Sequence, residues 1–347
     1  MMKKIVNVFI CFMIIALVAA CSNQTSNTKG SSSDQNASAD NNSSNASQES
    51  KEWSPEGSLE FISSYSPGGG HDTMLRAMVK VMNGEGIIEN PITVVNKPGG
   101  SGAVGMAYSA SKKGEENYIM TVTSSFLTTP LQGNIQYSYK DFTPIARLGL
   151  DPYVVLVNAK SGIKNFEDLK TFIETKDPTF GGTSVGSGEH MLAIQMNKAL
   201  GTEVEYVPFE GDGEVVTALL GGHIDVMANN IGSAIEYVNN GDMIPVAVSS
   251  SERLEQLPDV PTFKELGYDI EWMLYRGIYG PPEMPEEAVK WFESKLKELS
   301  ENPQWEAEYL DKYMVESGYQ GADEFESYLT EMNVMYEKNL KELGVIQ

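Results

Sequence analysis

The amino-acid sequence predicts an α/β fold, with a mainly parallel sheet covered by helices on both faces. From Trp53 onward, short apolar segments typical of strands alternate with amphipathic segments typical of helices, and this alternation characterises parallel sheets packed between helices. The chain from Trp53 to Gln347 is also longer than the roughly 100–200 residues of one ordinary domain. We therefore expect a folded body of two lobes.

The predicted strands are short segments rich in apolar and β-branched residues: Leu59–Ser64, Ile92–Asn96, Tyr118–Thr123, Tyr153–Val157, Val204–Val207, Ile224–Met227 and Ile244–Val248. The predicted helices lie between them: Thr73–Met82, Ala103–Ser111, Phe166–Thr175, His190–Leu200, Glu214–Leu220 and Ser233–Asn239. A last helix is expected from Phe325 to Leu340, where apolar residues recur at three- and four-residue steps. That stripe indicates packing rather than function.

The first segment has the features of a bacterial lipoprotein signal peptide. Lys3 and Lys4 precede an apolar run from Ile5 to Ala20, which ends in small residues directly before Cys21. The run is shorter than the roughly 20 residues of a membrane-spanning helix. We expect cleavage after residues 1–20, lipidation (palmitate) of Cys21, and a body held at the outer face of the membrane. An uncleaved N-terminal anchor is the alternative.

Residues 21–52 are expected to form a tether between the lipid and the folded body. From Ser22 to Ser50 the chain is almost entirely Ser, Asn, Gln, Ala, Thr and Asp. Such a composition cannot bury enough apolar surface to offset its ordering entropy, which predicts disorder.

Cysteine usage and charge exclude several classes of function. The cysteines are Cys11, inside the predicted signal, and Cys21, so the body has no disulfide, thiolate metal site or cysteine nucleophile. The histidines at 71, 190 and 223 lack metal-ligand spacing, so neither a metal nor a cofactor is expected. The formal charge of −23 becomes −25 once the two lysines of the signal are removed. That charge argues against nucleic acid or an anionic membrane face as a partner.

The first glycine-rich loop, Ser66–Asp72, follows the first predicted strand and opens the first predicted helix. Its three glycines free the backbone to turn N–H groups toward a guest, and the helix N-terminus adds partial positive charge. Asp72 is expected to be the N-cap of that helix. The loop is therefore an anion-binding candidate, with an ordinary strand-to-helix turn as the alternative.

A second loop, residues 96–105, contains Gly100, Gly102 and Gly105 in the spacing of a dinucleotide-binding fingerprint. A Lys-Pro pair separates these glycines from the preceding strand, and no acidic residue ends the next strand near Thr123. The pattern favours a helix packed closely on the sheet over a nucleotide site.

A third loop, residues 182–190, includes the pattern GxSxG around Ser184. A nucleophile elbow there would make the protein a serine hydrolase, with Asp212 and His223 as partners. Those residues crowd into a short stretch, and the preceding strand, Thr179–Gly181, is short and polar. The other interpretation is a Gly/Ser-rich loop that offers hydroxyl and N–H groups to an anion.

A fourth loop begins where the strand ending at Val207 turns into a helix. Its Phe209 could form a wall for a ligand or pack within the turn.

Taken in order, these stretches resemble the substrate-binding proteins of tripartite tricarboxylate transporters, the Bug family of extracytoplasmic solute receptors. The likeness covers nearly all of the chain from Leu59 and rests on these segments: Tyr65–Gly70 with Asp72 and Arg76, Val94–Gly100 with Gly102 and Gly105, Gly186–Gly188 with His190, Val207–Phe209 with Gly211, Leu220–Asp225, Leu257–Thr262, Trp272, Arg276–Gly277 and Gly280–Pro282. The sequence departs from the family at His71, where a small residue is usual, and after Thr123, where an Asp-Gly-Tyr-type turn is missing.

The resemblance implies a two-lobed, periplasmic-binding-protein-like (type II) α/β fold with a ligand cleft between the lobes and crossing strands connecting them. Residues 53–152 and 249–347 would form lobe 1, and residues 153–248 would form lobe 2.

It also implies a small organic acid as ligand, such as a tricarboxylate or dicarboxylate, held by backbone amides and hydroxyls. Neither the 66–72 loop nor the 182–190 loop contains Arg or Lys, so helix N-termini and oriented N–H groups are expected to supply the attraction. One end of the ligand would contact Ser66, Gly68, Gly69 and Gly70, and His71 would either add a donor there or face solvent. The other end of the ligand would contact Ser184, Ser187, Gly188 and His190. The wall of the site would be lined by Ser124, Ser125, Phe209 and Asn229.

The function implied is a lipid-anchored solute receptor, not an enzyme, that delivers its acid to the membrane permease subunits of a tripartite tricarboxylate-type transporter. A serine hydrolase using Ser184 is the alternative from another class, and a receptor that signals to a sensor is a third. Amides and hydroxyls suit tricarboxylates, dicarboxylates, aromatic acids and amino acids alike, so the residues do not name the ligand.

Overall fold

The computed structural model describes residues 53–209 and 211–347. The predicted signal, lipidated Cys21 and tether lie outside these residues. Within them, no helix has both the length and the apolar character needed to cross a membrane.

The described chain alternates strands and helices along most of its length. The strands are β1 Leu59–Ser63, β2 Ile92–Asn96, β3 Tyr118–Val122, β4 Thr143–Asn158, β5 Thr179–Thr183, β6 Glu205–Phe209, β7 Val226–Asn230, β8 Met243–Val248, β9 Met273–Gly280 and β10 Glu316–Gly321. The α-helices are α1 Gly70–Gly84, α2 Ala103–Ala110, α3 Ser125–Leu131, α4 Phe166–Thr175, α5 Gly188–Leu200, α6 Asp212–Leu220, α7 Ile235–Asn239, α8 Glu286–Ser300, α9 Pro303–Trp305, α10 Asp311–Tyr313 and α11 Ala322–Glu342. A π-helical turn, Glu306–Leu310, joins α9 to α10, and 3₁₀ turns lie at Tyr139–Asp141, Ala159–Ser161 and Ile231–Ser233.

The strands follow the order β2-β1-β3-β9-β4-β7-β5-β6, and β8 and β10 also pair with β4. The outer pairings are parallel: β1 with β2 and β3, and β5 with β6 and β7. The central pairings of β9 with β3 and β4, and of β4 with β7, β8 and β10, are antiparallel. The expectation of a mainly parallel sheet is therefore wrong at the centre, because two antiparallel strands join the parallel outer parts.

β4 belongs to both lobes of the two-lobed α/β fold. Its first part, Thr143–Pro152, pairs with β9, whereas Tyr153–Val157 pairs with β7. The first lobe thus contains β1–β3, β9, β10 and the start of β4, and the second contains β5–β8 and the end of β4. The finer lobe boundaries at residues 152 and 248 stay a prediction.

Apolar side chains on both faces of the sheets hold the helices in place. In the first lobe, Phe61 of β1 and Phe292 of α8 are fully buried with ring centroids 6.4 Å apart. In the second, Leu156 of β4 and Leu219 of α6 belong to one buried cluster. Strands that are apolar on both faces require helices on both sides. This packing leaves the polar loops at the strand ends free to face one another.

Candidate ligand-binding site

A cavity of about 1240 Å³ lies among the loops at the strand ends of both lobes. All of the predicted ligand-binding residues except His190 and Asn229 line it: Ser66, Gly68, Gly69, Gly70, His71, Ser124, Ser125, Ser184, Ser187, Gly188 and Phe209. The fold therefore brings together loops that are far apart in sequence. Which of these residues contact a ligand stays a prediction.

The first-lobe end of the cavity is formed by the start of α1. Gly68 has φ +83° and donates its N–H to Asp72 Oδ2 at 2.9 Å. Gly69 precedes the helix with φ −76°, so its conformation is open to any residue. The prediction that Asp72 is the N-cap is wrong: α1 starts at Gly70, and Asp72 lies in its first turn, where it also accepts from Arg76 Nε at 2.8 Å. The Asp72 carboxylate, inside the first turn of α1, therefore stabilises the 66–72 loop through its hydrogen bond with Gly68 N.

His71 is buried in the wall between α1 and β3. Its Nδ1 is 2.7 Å from Thr121 Oγ1, and its Nε2 is 3.1 Å from Thr123 Oγ1. Burial, together with the positive charge of Arg276, lowers the pKa of His71 to about 3. The alternative that His71 points to solvent is wrong, and at neutral pH its imidazole is an uncharged hydrogen-bonding group.

A buried arginine supplies a positive charge that the loops do not contain. Arg276 on β9 lines the cavity and pairs with Asp151 of β4. Its guanidinium lies against the start of α1, since a Cβ added to Gly70 would be 2.8 Å from Nη1. The cavity wall thus contains a cation in addition to the N–H groups and helix N-termini that were expected to attract the anion. Arg276 belongs to one of the motifs that carry the family resemblance, but β9, the strand that brings it to the cavity, is not among the predicted strands.

Part of this ion pair has no hydrogen-bond partner. Arg276 Nε and Asp151 Oδ1 are both without one among residues 53–209 and 211–347. Asp151 is 2% exposed and Arg276 is 8% exposed. Burial raises the pKa of Asp151 although Arg276 opposes the effect. Buried polar groups are normally satisfied, so these two atoms are candidates for contact with a guest in the cavity.

Two further acids that the sequence analysis did not assign to ligand binding line the second-lobe side. Glu189 in the first turn of α5 is buried, and its Oε2 accepts from Thr183 Oγ1 at 2.9 Å. Burial, reinforced by Asp212, raises the pKa of Glu189 to about 7. Asp212, the first residue of α6, is exposed to the solvent inside the cavity, and protein surrounds it on the other sides. The resulting partial desolvation raises the pKa of Asp212, although the positive charge of Arg276 opposes this effect.

The Ser187 hydroxyl is largely used within the protein. It caps α5 by accepting from His190 N at 3.3 Å, donates to Thr183 O at 3.2 Å, and lies 3.0 Å from the Tyr206 hydroxyl. Ser187 therefore shapes the loop, with limited capacity left for a ligand.

His190 and Asn229 lie behind the residues that line the cavity. His190 Nδ1 accepts from Gly186 N at 3.1 Å, and its ring stacks on Tyr206 with centroids 4.0 Å apart. Asn229 Oδ1 accepts from Asn230 N at 2.8 Å, and the nearby Asn229 side chain lowers the pKa of the Asp212 carboxyl. Neither residue lines the cavity, and the predicted contacts of His190 with one ligand end and of Asn229 with the ligand wall stay predictions.

The GxSxG pattern does not assemble a nucleophile and a base. Ser184 lines the cavity, but in the described part of the chain no hydrogen bond joins it to a histidine. His190 Nδ1 is engaged by Gly186, and His223 lies on the turn after α6, beside Gly221. Across residues 53–209 and 211–347, no group of three or more His, Cys, Asp or Glu side chains could hold a metal ion.

Glu189→Gln is expected to reduce the loss of stability with rising pH. The pKa of Glu189 is about 7 in the folded protein and 4.5 in the unfolded chain. Its contribution to the free energy of unfolding is therefore fully present below pH 4.5 and is lost as the pH rises through 7. Between pH 4.5 and 8, the variant should gain about 3 kcal/mol of unfolding free energy relative to the unmodified protein. Denaturant unfolding at both pH values measures this, with Glu205→Gln, an exposed glutamate of β6, as control. Equal pH profiles for Glu189→Gln and the unmodified protein would contradict the prediction.

Comparison with known proteins identifies relatives. A model described as "Tripartite tricarboxylate transporter family receptor" matches residues 77–345. Protein BugT of Bordetella pertussis is 27% identical over 217 residues, which cover 60% of this chain and 66% of BugT. The crystal structure of a TctC solute binding protein from Polaromonas, without ligand, has 27% identity and a TM-score of 0.69 over 83% of this chain and 99% of its own. MatC from Rhodopseudomonas palustris, solved with bound malate, has 20% identity and a TM-score of 0.70 over 82% and 99%.

Proposed function

The chain belongs to the tripartite tricarboxylate transporter receptor family, and we propose that it is a lipid-anchored extracytoplasmic receptor that captures a small carboxylate and delivers it to the membrane permease subunits of such a transporter. Members of this family are solute-binding receptors rather than enzymes. The observation that carries the proposal is the buried Arg276 beside the start of α1, inside a cavity formed by both lobes.

The first-lobe end of the cavity suits a carboxylate for two reasons. The first N–H groups of α1 have no partner within the helix, and the helix N-terminus carries partial positive charge. The Arg276 guanidinium lies against the same point, at Gly70, and retains an unpartnered Nε. Charge-assisted hydrogen bonds of this type are roughly twice as strong as neutral ones. The binding of malate by MatC, a dicarboxylate in a similar fold, supports this choice of ligand.

A thermal-shift screen of the purified full-length chain in detergent tests the proposal. The panel contains mono-, di- and tricarboxylates and amino acids, with neutral sugars as controls. A ligand at 100 times its dissociation constant adds about 2.7 kcal/mol of stability, so a cognate acid should raise the unfolding temperature measurably. A screen in which no carboxylate shifts the unfolding temperature would contradict carboxylate capture. Steady hydrolysis of a model ester, abolished by Ser184→Ala, would instead favour the hydrolase.

Cys21→Ala is expected to move the protein from the membrane fraction to the soluble or secreted fraction, because the proposed lipid anchor is attached to that sulfur. Thermal unfolding of the body should not change. Fractionation followed by immunodetection measures the distribution, and Cys11→Ala is the matched control because Cys11 lies within the predicted signal. A Cys21→Ala protein that stays in the membrane fraction would contradict the lipid anchor.

A further inference from the structure

The loop between β5 and α5, residues 184–188, is held by the first lobe as well as by its own. Gln132, the residue that ends α3 in the first lobe, donates from Nε2 to Val185 O at 3.0 Å. Asn134 donates to Oε1 of the same side chain at 3.4 Å, which leaves the amide nitrogen of Gln132 directed at Val185. Both Gln132 and Val185 line the cavity. This hydrogen bond therefore joins the two lobes at the cavity wall.

Gly186 lies where two first-lobe elements approach the loop. Its φ of +85° falls in the left-handed region that favours glycine. A Cβ added to Gly186 would lie 2.8 Å from Gln132 Nε2 and 3.0 Å from Leu340 Cδ2 of α11. The missing side chain therefore lets α3 and α11 contact the loop at the same point.

α11 extends from the first lobe to the second. It has 21 residues, which corresponds to a length of about 30 Å. Near its start, Phe325 packs on β9 of the first lobe. Near its end, Asn339 Nδ2 is 3.5 Å from Met191 Sδ of α5, and Lys198 of α5 forms an exposed ion pair with Glu342 at 2.7 Å. The 184–188 loop and the helix that follows it are thus both attached to first-lobe elements.

Contacts between the lobes differ in their effect from contacts inside one lobe. A hydrogen bond within a lobe is kept when the lobes move apart, whereas the bond from Gln132 to Val185 must break. An interaction that is made in only one of two arrangements shifts the equilibrium toward that arrangement by its own free energy. A guest held by loops of both lobes is released when the lobes separate, so this bond opposes release.

We propose that Gln132 is a latch residue, which holds the 184–188 loop against the first lobe and slows the release of a bound acid. The inference rests on the proposed function, since it concerns the release of a captured ligand. Gln132 acts through the position of the Val185 loop rather than through the ligand. The effect is therefore expected for any acid that contacts both lobes.

Gln132→Met keeps the length of the side chain, removes the donor, and tests the proposal on the full-length chain in detergent. Malate, succinate and citrate are the probes, and stopped-flow fluorescence measures their association and dissociation rates. Trp272 is a suitable reporter because its Nε1 donates to Gly188 O at 2.8 Å. For each acid that binds, the dissociation rate should rise about 3- to 10-fold, as expected for the loss of one neutral hydrogen bond. The association rate should change by less than about twofold, because the effects of such changes fall mostly on dissociation.

Hydrogen exchange gives a second readout that needs no ligand. In ligand-free Gln132→Met, the amides of residues 182–190 should exchange several-fold faster, because the loop has lost its attachment to α3 and opens locally more often. Exchange in α8 should not change. Gln304→Met is the matched control, since Gln304 is exposed and lies outside the cavity wall. Its release rates and its exchange should both equal those of the unmodified protein.

The outcomes separate the latch from the proposed function. Faster dissociation together with faster exchange supports the latch. Unchanged dissociation rates would overturn it, whether or not exchange is faster, and faster dissociation without faster exchange would overturn the positioning role of Gln132. If malate, succinate, citrate and every other carboxylate fail to bind the unmodified protein, the proposed function fails. Exchange then decides whether Gln132 holds the loop, and equal exchange in Gln132→Met and the unmodified protein would overturn that as well.

Discussion

Arg276→Met is expected to weaken binding of the cognate acid by more than about 100-fold and to lower the free energy of unfolding by about 3–5 kcal/mol. The side chain is 8% exposed and is paired with Asp151, which is 2% exposed. Removing the guanidinium leaves a buried carboxyl group without its countercharge, and such a group must take up a proton or destabilise the fold. The same change removes the cation beside the start of α1, so binding and stability should fall together.

Adding Asp151→Asn to Arg276→Met gives a double variant that separates the effect on binding from the effect on stability. The double variant has no uncompensated charge, so most of the lost stability should return, whereas binding should remain weak because the cation is still missing. Arg253→Met is the matched control: its ion pair with Glu265 is exposed and should contribute at most about 1 kcal/mol. Denaturant unfolding and calorimetry on all four proteins measure the outcome. An Arg276→Met protein with normal stability and normal affinity would contradict the role assigned to this arginine.

Gly188→Ala is expected to lower the free energy of unfolding by several kcal/mol, because the position has no room for a methyl group. A Cβ there would lie 1.9 Å from the Tyr153 hydroxyl and 2.6 Å from Cζ of the same ring. Neither the Tyr153 ring nor the Gly188 backbone can move easily, because Tyr153 is 1% exposed and the Gly188 carbonyl accepts a hydrogen bond from Trp272 Nε1 at 2.8 Å. Overpacking of a dense interior typically costs about 1–3 kcal/mol, occasionally more, and a contact this short belongs at the upper end.

Gly213→Ala on the neighbouring helix start is the matched control. A Cβ at Gly213 meets nothing within 4 Å, so alanine should be neutral or should stabilise the helix by up to about 1 kcal/mol. Adding Tyr153→Phe to Gly188→Ala removes the hydroxyl but keeps the ring, and should restore part of the lost stability. Thermal and denaturant unfolding measure these differences. Equal stability of the Gly188→Ala and Gly213→Ala proteins would show that the loop moves freely, contrary to the contacts described.

Segments with strong local signals were predicted well. The bounds of β2 and α4 agree with the sequence analysis, because β2 is a short β-branched segment and α4 starts after Asn165, whose side chain accepts from Asp168 N. The first part of β4 and all of β9 were not predicted. β4 contains Pro144, Gly149 and Pro152, residues that weaken a strand pattern, and its pairing partners maintain the strand instead.

The same distinction applies to the candidate site. Glycine-rich loops can be recognised within a few residues, and the family resemblance implied that they would meet around one cleft. The pairing of Arg276 with Asp151 joins residues 125 positions apart, and nothing in local spacing reveals it. Glu189 and Asp212 look like ordinary first-turn acids in the sequence. Only the structure shows that both side chains line a common cavity.

The continuity of β4 determines how the two lobes can move. A single strand of 16 residues passes from one lobe into the other without an intervening loop, so rotation about a few flexible dihedral angles is not available at this connection. Closure of the lobes must instead twist or bend a hydrogen-bonded strand, and the register shifts at Pro144/Ala146, Arg147/Gly149 and Val155/Leu156 are where the ladder is already interrupted. Asp151 lies between these shifts. The residue that pairs with Arg276 is therefore also part of the strand that joins the lobes, and we expect occupancy of the cavity and the angle between the lobes to be coupled through this strand.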